Sequence, residues 1–196
     1  MIILNNITKT YGTLTVLKHL SLTLEKGKRY CLMSPSGSGK TTLLRILMRL
    51  EKPDFGSIST ASGIPFEELV ISPVFQEDRL FEAFSPVENV SISAGRFRKS
   101  AQIKEELERL LPKECLTRPV STLSGGMKRR VAILRALLTP SDILLMDEPF
   151  TGLDEEIKQR VIEYIKEKQE RRLLVLTTHQ DEDIALLEGA LIRLSF

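Results

Sequence analysis

Apolar residues change their spacing along this chain, and the changes divide it into elements. MIILNNITKTYG, VLKHLSLTLEKGK and RYCLM mix apolar and β-branched residues around the polar turn Glu25-Lys26-Gly27-Lys28, the pattern of antiparallel strands. From Lys40 to Leu50 the apolar positions take helical spacing, and Glu51-Lys52-Pro53-Asp54-Phe55-Gly56 breaks it. Ser85-Pro86-Val87-Glu88 carries a cap residue, a proline at the first helical position and an acid at the reciprocal capping position. Ala101 to Leu111 is amphipathic, so the stretch from about 76 to 136 is expected to form a small helical subdomain. From Asp142 the order is strand, helix, strand: DILLMDEP, EEIKQRVIEYIKEKQ and LLVLTTH. A parallel sheet with crossover helices explains that order. The expectation is one α/β domain whose core comprises 1–75, including the antiparallel part, and 137–196.

Composition adds limits to this picture. A chain of 196 residues supports one sizeable core and is too short for two nucleotide-binding domains. A net charge of +2 gives no strong pull toward nucleic acid or anionic lipid, so no nucleic-acid partner is expected. Cys31 and Cys115 are too few for a disulfide framework or a zinc cluster, which suits a reducing cytosol. The N-terminus lacks the basic and apolar regions of a secretion signal, and no run of about 18 apolar residues occurs. If the protein works at a membrane, a partner is expected to carry the span.

Candidate chemistry begins at LMSPSGSGKTTLL, Leu32 to Leu44. A phosphate-binding loop needs backbone N–H groups aimed inward at a helix start, and glycine lets the chain approach phosphate oxygens. Gly37 and Gly39 supply this, Lys40 can reach terminal phosphates and the Thr41 hydroxyl can ligate Mg²⁺. A glycine-rich turn between strand and helix is the plain alternative. Ser34 stands where such loops usually begin with glycine; a positive φ there would cost about 1 kcal/mol or more. DILLMDEP delivers Asp147 and Glu148 to the carboxyl end of a buried strand, where ligands gather in open α/β sheets. One acid there can hold a metal and the other can polarise water; two solvated acids at a strand end is the plainer account. On their own, Tyr11 could be a core aromatic, Gln76 a surface polar residue and Ser124 a helix cap. Lys128-Arg129-Arg130 reads as a solvated helix face, and His19 receives no role.

The order SPSGSGKTT, VFQEDRLF, LSGGM, LLMDEP, TGLDEE and TTHQ resembles the motif set of ATP-binding cassette (ABC) ATPases over nearly the whole chain. That resemblance implies a P-loop NTPase fold with an ABC-type core, an N-terminal antiparallel β subdomain and a helical signature subdomain. By it, Tyr11 corresponds to the aromatic on which adenine stacks, with Val16 beside it. Ser34, Pro35, Ser36, Gly37, Ser38, Gly39, Lys40, Thr41 and Thr42 correspond to the phosphate loop. Gln76 matches the glutamine that touches the metal and senses a transmembrane partner. Ser124, Gly125 and Gly126 match the signature that contacts the γ-phosphate held by the other subunit. Asp147 corresponds to the metal-holding acid, Glu148 to the catalytic base, Asp154 to the D-loop acid and His179 to the switch histidine. Met127 departs from the glutamine that commonly closes the signature.

The implied activity is ATP hydrolysis with Mg²⁺ as cofactor, driving closure of a head-to-tail dimer, homomeric or heteromeric. The implied setting is an ABC transporter: a cytoplasmic subunit, peripheral on the inner membrane face, bound to integral membrane permease subunits and served by a substrate-binding protein. Val70 to Ile92 resembles the corresponding region of bacterial importers of the nitrate, sulfonate and taurine group. With 17 residues after His179, no C-terminal regulatory domain is expected. A soluble ABC ATPase of the iron–sulfur assembly type is the alternative from another class. Ser34 and Met127 motivate a third reading, a degenerate cassette that binds ATP to regulate a partner.

Overall fold

The computed structural model describes residues 1–35, 37–95 and 98–194. Two sheets organise the described residues. The first is antiparallel, with β1 (Ile2–Tyr11) between β2 (Leu14–Leu24) and β4 (Phe55–Thr60). The second has the order β5-β6-β7-β3-β8, from β5 (Ile71–Val74), β6 (Ile143–Met146), β7 (Leu173–Thr177), β3 (Arg29–Leu32) and β8 (Ala190–Ile192). Every pairing in it is parallel.

The sequence grouping of RYCLM with the antiparallel opening is therefore corrected: β3 is a strand of the parallel sheet, between β7 and β8. The third antiparallel strand is β4, which starts at Phe55 and Gly56, the end of the stretch that reads as a helix break. It docks closely because Gly56 has φ +95° and a Cβ there would meet the Asn5 and Asn6 carbonyl oxygens at 2.5 and 2.6 Å. Residues Asn6 and His19 both take positive φ where the β1–β2 register shifts, and the His19 amide donates to the Thr8 hydroxyl. This places His19 in a bulge.

Strands β6 and β7 are buried throughout, as expected of parallel strands covered on both faces. Their alternation sends successive side chains to opposite cores. Leu144, Met146, Leu174 and Leu176 face a core shared with the helices that follow β5, while Ile143, Leu145, Leu173 and Val175 join Ile2, Leu4, Ile7 and α1 (Lys40–Leu47). The first helix is shorter than its sequence pattern, ending at Leu47 before Arg49 takes φ 59°.

Helices α2 (Pro86–Ala94), α3 (Ser100–Glu108) and α4 (Gly125–Leu138) pack on one another. The capping box of α2 forms as its sequence predicts: Glu88 N–H donates to Ser85 Oγ at 3.3 Å, and Ser85 N–H donates to the Glu88 carboxylate at 2.8 Å. Helix α5 (Glu155–Gln169) crosses from β6 to β7, and α6 (Asp181–Leu187) from β7 to β8.

Parallel register fixes where the site must lie. Leu32 pairs with Thr177 and with Ile192, Met146 with Leu176, and Val74 with Met146. The segments beginning at Met33, Phe75, Asp147, Thr178 and Arg193 therefore leave the sheet at one edge.

Candidate functional site

A cavity at that edge is lined by Val16, Gly37, Ser38, Gly39, Lys40, Thr41, Thr42, Glu148 and His179. Gly39 opens α1 with φ +82°, and a Cβ on it would lie 2.8 Å from the Val16 carbonyl oxygen. The loop is thus pressed against β2 in a way that only glycine allows. Lys40 is 7% exposed, and its ammonium donates to the carbonyls of Ser34 and Pro35. Ser36 lies outside the described residues.

Ser34 does not take positive φ, so the strain considered from the sequence does not arise. Its buried hydroxyl instead donates to the Met33 carbonyl at 2.6 Å and accepts the Leu194 amide at 2.8 Å. The serine ties the segment after β8 to the start of the loop.

The two acids differ in environment. Asp147 is buried and accepts the Thr177 hydroxyl proton at 2.7 Å. The same Thr177 oxygen accepts the Glu148 amide at 2.7 Å, and Glu148 has φ +47°. Thr177 thus holds both acids and supports a left-handed backbone at Glu148 that would otherwise be costly. Glu148 Oε1 lies 2.8 Å from His179 Nε2, bringing these two predicted residues together across the ends of β6 and β7.

Thr41, Gln76 and Asp147 line a second, adjoining cavity with Phe75, Glu77 and Arg79. Among the described residues no group of three His, Cys, Asp or Glu side chains forms a metal cage. The donors lining it are hard oxygens, from Thr41, Gln76 and the Asp147 carboxylate with Glu77 beside them, a set that suits Mg²⁺, which binds through one or two carboxylates and keeps several waters. Ser38 supplies an independent fit test: its buried Oγ has no hydrogen-bond partner among the described residues, as a phosphate-facing hydroxyl would.

The other predicted residues stand apart. Tyr11 ends β1, 45% exposed, with the Lys9 ammonium 5.5 Å from its ring centroid. Burial raises its phenol pKa, and the Glu51 carboxylate adds to the rise. Ser124 caps α4, accepting the Met127 amide at 3.3 Å, and Gly126 packs where a Cβ would sit 3.0 Å from the Gly152 carbonyl. Asp154 caps α5, accepting the Ile157 amide at 2.9 Å. None of Tyr11, Ser124, Gly125, Gly126 or Asp154 lines the cavity around Lys40.

Arg129 corrects the reading of Lys128-Arg129-Arg130 as a solvated face. It is 7% exposed and donates to the carbonyls of Phe75, at 2.7 Å, and Gln76. Asp78 also faces it at 3.2 Å, and burial raises that acid's pKa against the pull of Arg129. Its position three and four residues before buried Ala132 and Ile133 was the available signal. Thr177 was likewise overlooked; a hydroxyl ending an otherwise apolar strand at the ligand edge marks it.

A family model described as ABC transporter matches residues 17–151. The chain belongs to the ABC transporter family. Its cassette fold is shared with a bacterial ABC transporter cassette solved as a dimer: TM-score 0.84, 29% identity, covering 99% of this chain and 94% of that one. A post-hydrolysis state of such a cassette bound to ADP and Pi also aligns with TM-score 0.84, at 28% identity over 100% of this chain and 94% of that one. Among curated proteins, the Fe(3+) ions import ATP-binding protein FbpC of Agrobacterium fabrum is 37% identical over 97% of this chain and 58% of its own length. The sulfate/thiosulfate import ATP-binding protein CysA of Synechocystis is 36% identical over 93% of this chain and 54% of its own length. The chain thus spans little more than half of these ABC relatives. Their names are of ferric-ion and sulfate import rather than of the nitrate, sulfonate and taurine group. No helix among the described residues is long and apolar enough to cross a membrane.

Proposed function

We propose that this chain is the ATP-binding and ATP-hydrolysing part of a bacterial ABC importer. The observation that carries the reading is the Glu148–His179 pair, 2.8 Å apart and lining the same cavity as Lys40 and the loop glycines. In this reading the loop amides, Lys40 and Ser38 bind the nucleotide's phosphates, and Glu148, oriented by His179 and Thr177, polarises the attacking water. Thr41, Gln76 and Asp147 would hold Mg²⁺, which when bound neutralises charge on the phosphate oxygens.

Tyr11 receives adenine beside Val16. Ser124, Gly125 and Gly126, at the N-terminus of α4 and outside the lining of the Lys40 cavity, serve a nucleotide on a second cassette, with Asp154 at the same interface. Two ATP molecules would then bind between head-to-tail subunits, and their hydrolysis would release the closed state. The names of the import relatives support membrane permease partners and a place at the inner membrane face. The stretch 76–136 would carry both Gln76 and the signature, with Arg129 on α4 joined to the Gln76 carbonyl.

Glu148→Gln tests the reading. It should slow ATP turnover by roughly 10²- to 10⁴-fold, while MgATP binding measured by calorimetry persists. Unchanged turnover would remove Glu148 from the role, and loss of binding would assign it to nucleotide affinity instead.

A further inference from the structure

Lys158 is the most deeply buried cation among the described residues, 3% exposed. It lies on the core stripe of α5 with Val161, Ile162 and Ile165, where an apolar residue would be expected. Its ammonium meets Gln180 Oε1 at 2.6 Å, Glu155 Oε1 at 2.8 Å and Asp183 Oδ1 at 3.2 Å. Asp183 is itself 2% exposed. A buried ion pair of this kind seldom stabilises a fold more than packed apolar residues would. Its distinctive consequence is directional: it holds charged groups in one arrangement.

What it holds is the segment carrying His179. On one side, Gln180 commits its side chain to Lys158 and donates its backbone amide to Thr178 Oγ1 at 3.2 Å. On the other, the Thr178 hydroxyl donates to Asp183 Oδ2. Both neighbours of His179 are therefore fastened to the Lys158–Asp183 pair, while its ring, 47% exposed, reaches Glu148 at 2.8 Å.

We propose that Lys158 is a positioning residue that, through Gln180 and Asp183, directs the His179 ring onto Glu148 and couples it to α5, the helix that Asp154 caps. The inference rests on the reading of Glu148 and His179 as the hydrolytic pair. Movement of the α5 N-terminus is then felt at His179 without any contact between Asp154 and the histidine.

The test uses Lys158→Met and the pair Lys158→Met/Asp183→Leu, which removes both buried charges together so that none is left unpaired. The chain has two histidines, so ¹⁵N-imidazole spectra of the full chain carry their own control in His19. His179 ring-nitrogen signals should move or double in both variants while those of His19 stay. The kcat for ATP should fall roughly 10- to 100-fold with little change in KM. In a His179→Ala background the same Lys158→Met change should alter kcat less than about twofold, since residues acting through one group are not additive. Unmoved His179 signals in folded variants, or an equal kcat loss in the His179→Ala background, would overturn the proposal. A wild-type chain without ATP turnover would defeat the hydrolytic reading instead, and the His179 spectra would still decide whether Lys158 orients the ring.

Discussion

The Leu194 amide donates to the Ser34 hydroxyl at 2.8 Å, joining the segment after β8 to the start of the glycine loop. Both residues are buried, so the amide has little access to water. Ser34→Gly would restore the residue usual in such loops and yet leave that N–H unpaired, at about 1–3 kcal/mol. Glycine also adds freedom to the unfolded chain, about 0.5–1 kcal/mol more. The variant should therefore be less stable in urea unfolding, and its Leu194 amide should exchange faster. A more stable variant would show that serine strains the loop after all.

Cys31 is fully buried on β3, and burial, with a smaller contribution from the negative charge of Asp183, pushes its thiol up to about 11. Cys115 is raised as well, mainly by burial. Both should resist iodoacetamide at pH 8 in the native protein and react once urea unfolds it, as mass spectrometry would record. The sign of the pH effect follows from the raised pKa: the folded state favours the neutral thiol. That contribution is fully present below the unfolded value of about 8.5 and is lost as pH rises toward about 11. Wild type should accordingly lose more stability than Cys31→Ala between pH 8 and the folded-state value.

Much of this site was legible because parallel strands deliver their next residues to one edge. An apolar run ending in Asp147-Glu148 and another ending before His179 suffice to place these residues near the glycine loop. What was hidden depends on tertiary neighbours. Arg129 looks like a solvated helix charge until the Phe75–Gln76 carbonyls are found beside it, and nothing in the sequence singles out Lys158 before the Asp183 carboxylate is found beside it. Strand β4 has only two partly buried residues, Ile58 and Thr60, so its apolar signal was too thin to separate it from a break. The role of Ser34 was hidden for the same reason: the Leu194 amide that its hydroxyl accepts lies 160 residues away in sequence.

Thr177 is the polar residue on which both acids depend. Its hydroxyl donates to Asp147 and accepts from the Glu148 amide, each at 2.7 Å, and the side chain is fully buried. Thr177→Val keeps the shape, removes both bonds and leaves the part-buried Glu148 amide and the buried Asp147 carboxylate without their partner, which should lower stability by about 1–3 kcal/mol. The larger effect should fall on Glu148. Its positive φ is supported by that amide bond, so without it the backbone can relax and carry the carboxylate away from His179. ATP turnover should drop by roughly tenfold or more, with MgATP affinity falling less. Thr177→Ser retains the hydroxyl and should recover most of the rate. If Thr177→Val and Thr177→Ser lose turnover equally, the β-methyl rather than the hydroxyl supports the site, and the bridge between the acids has no part in their geometry.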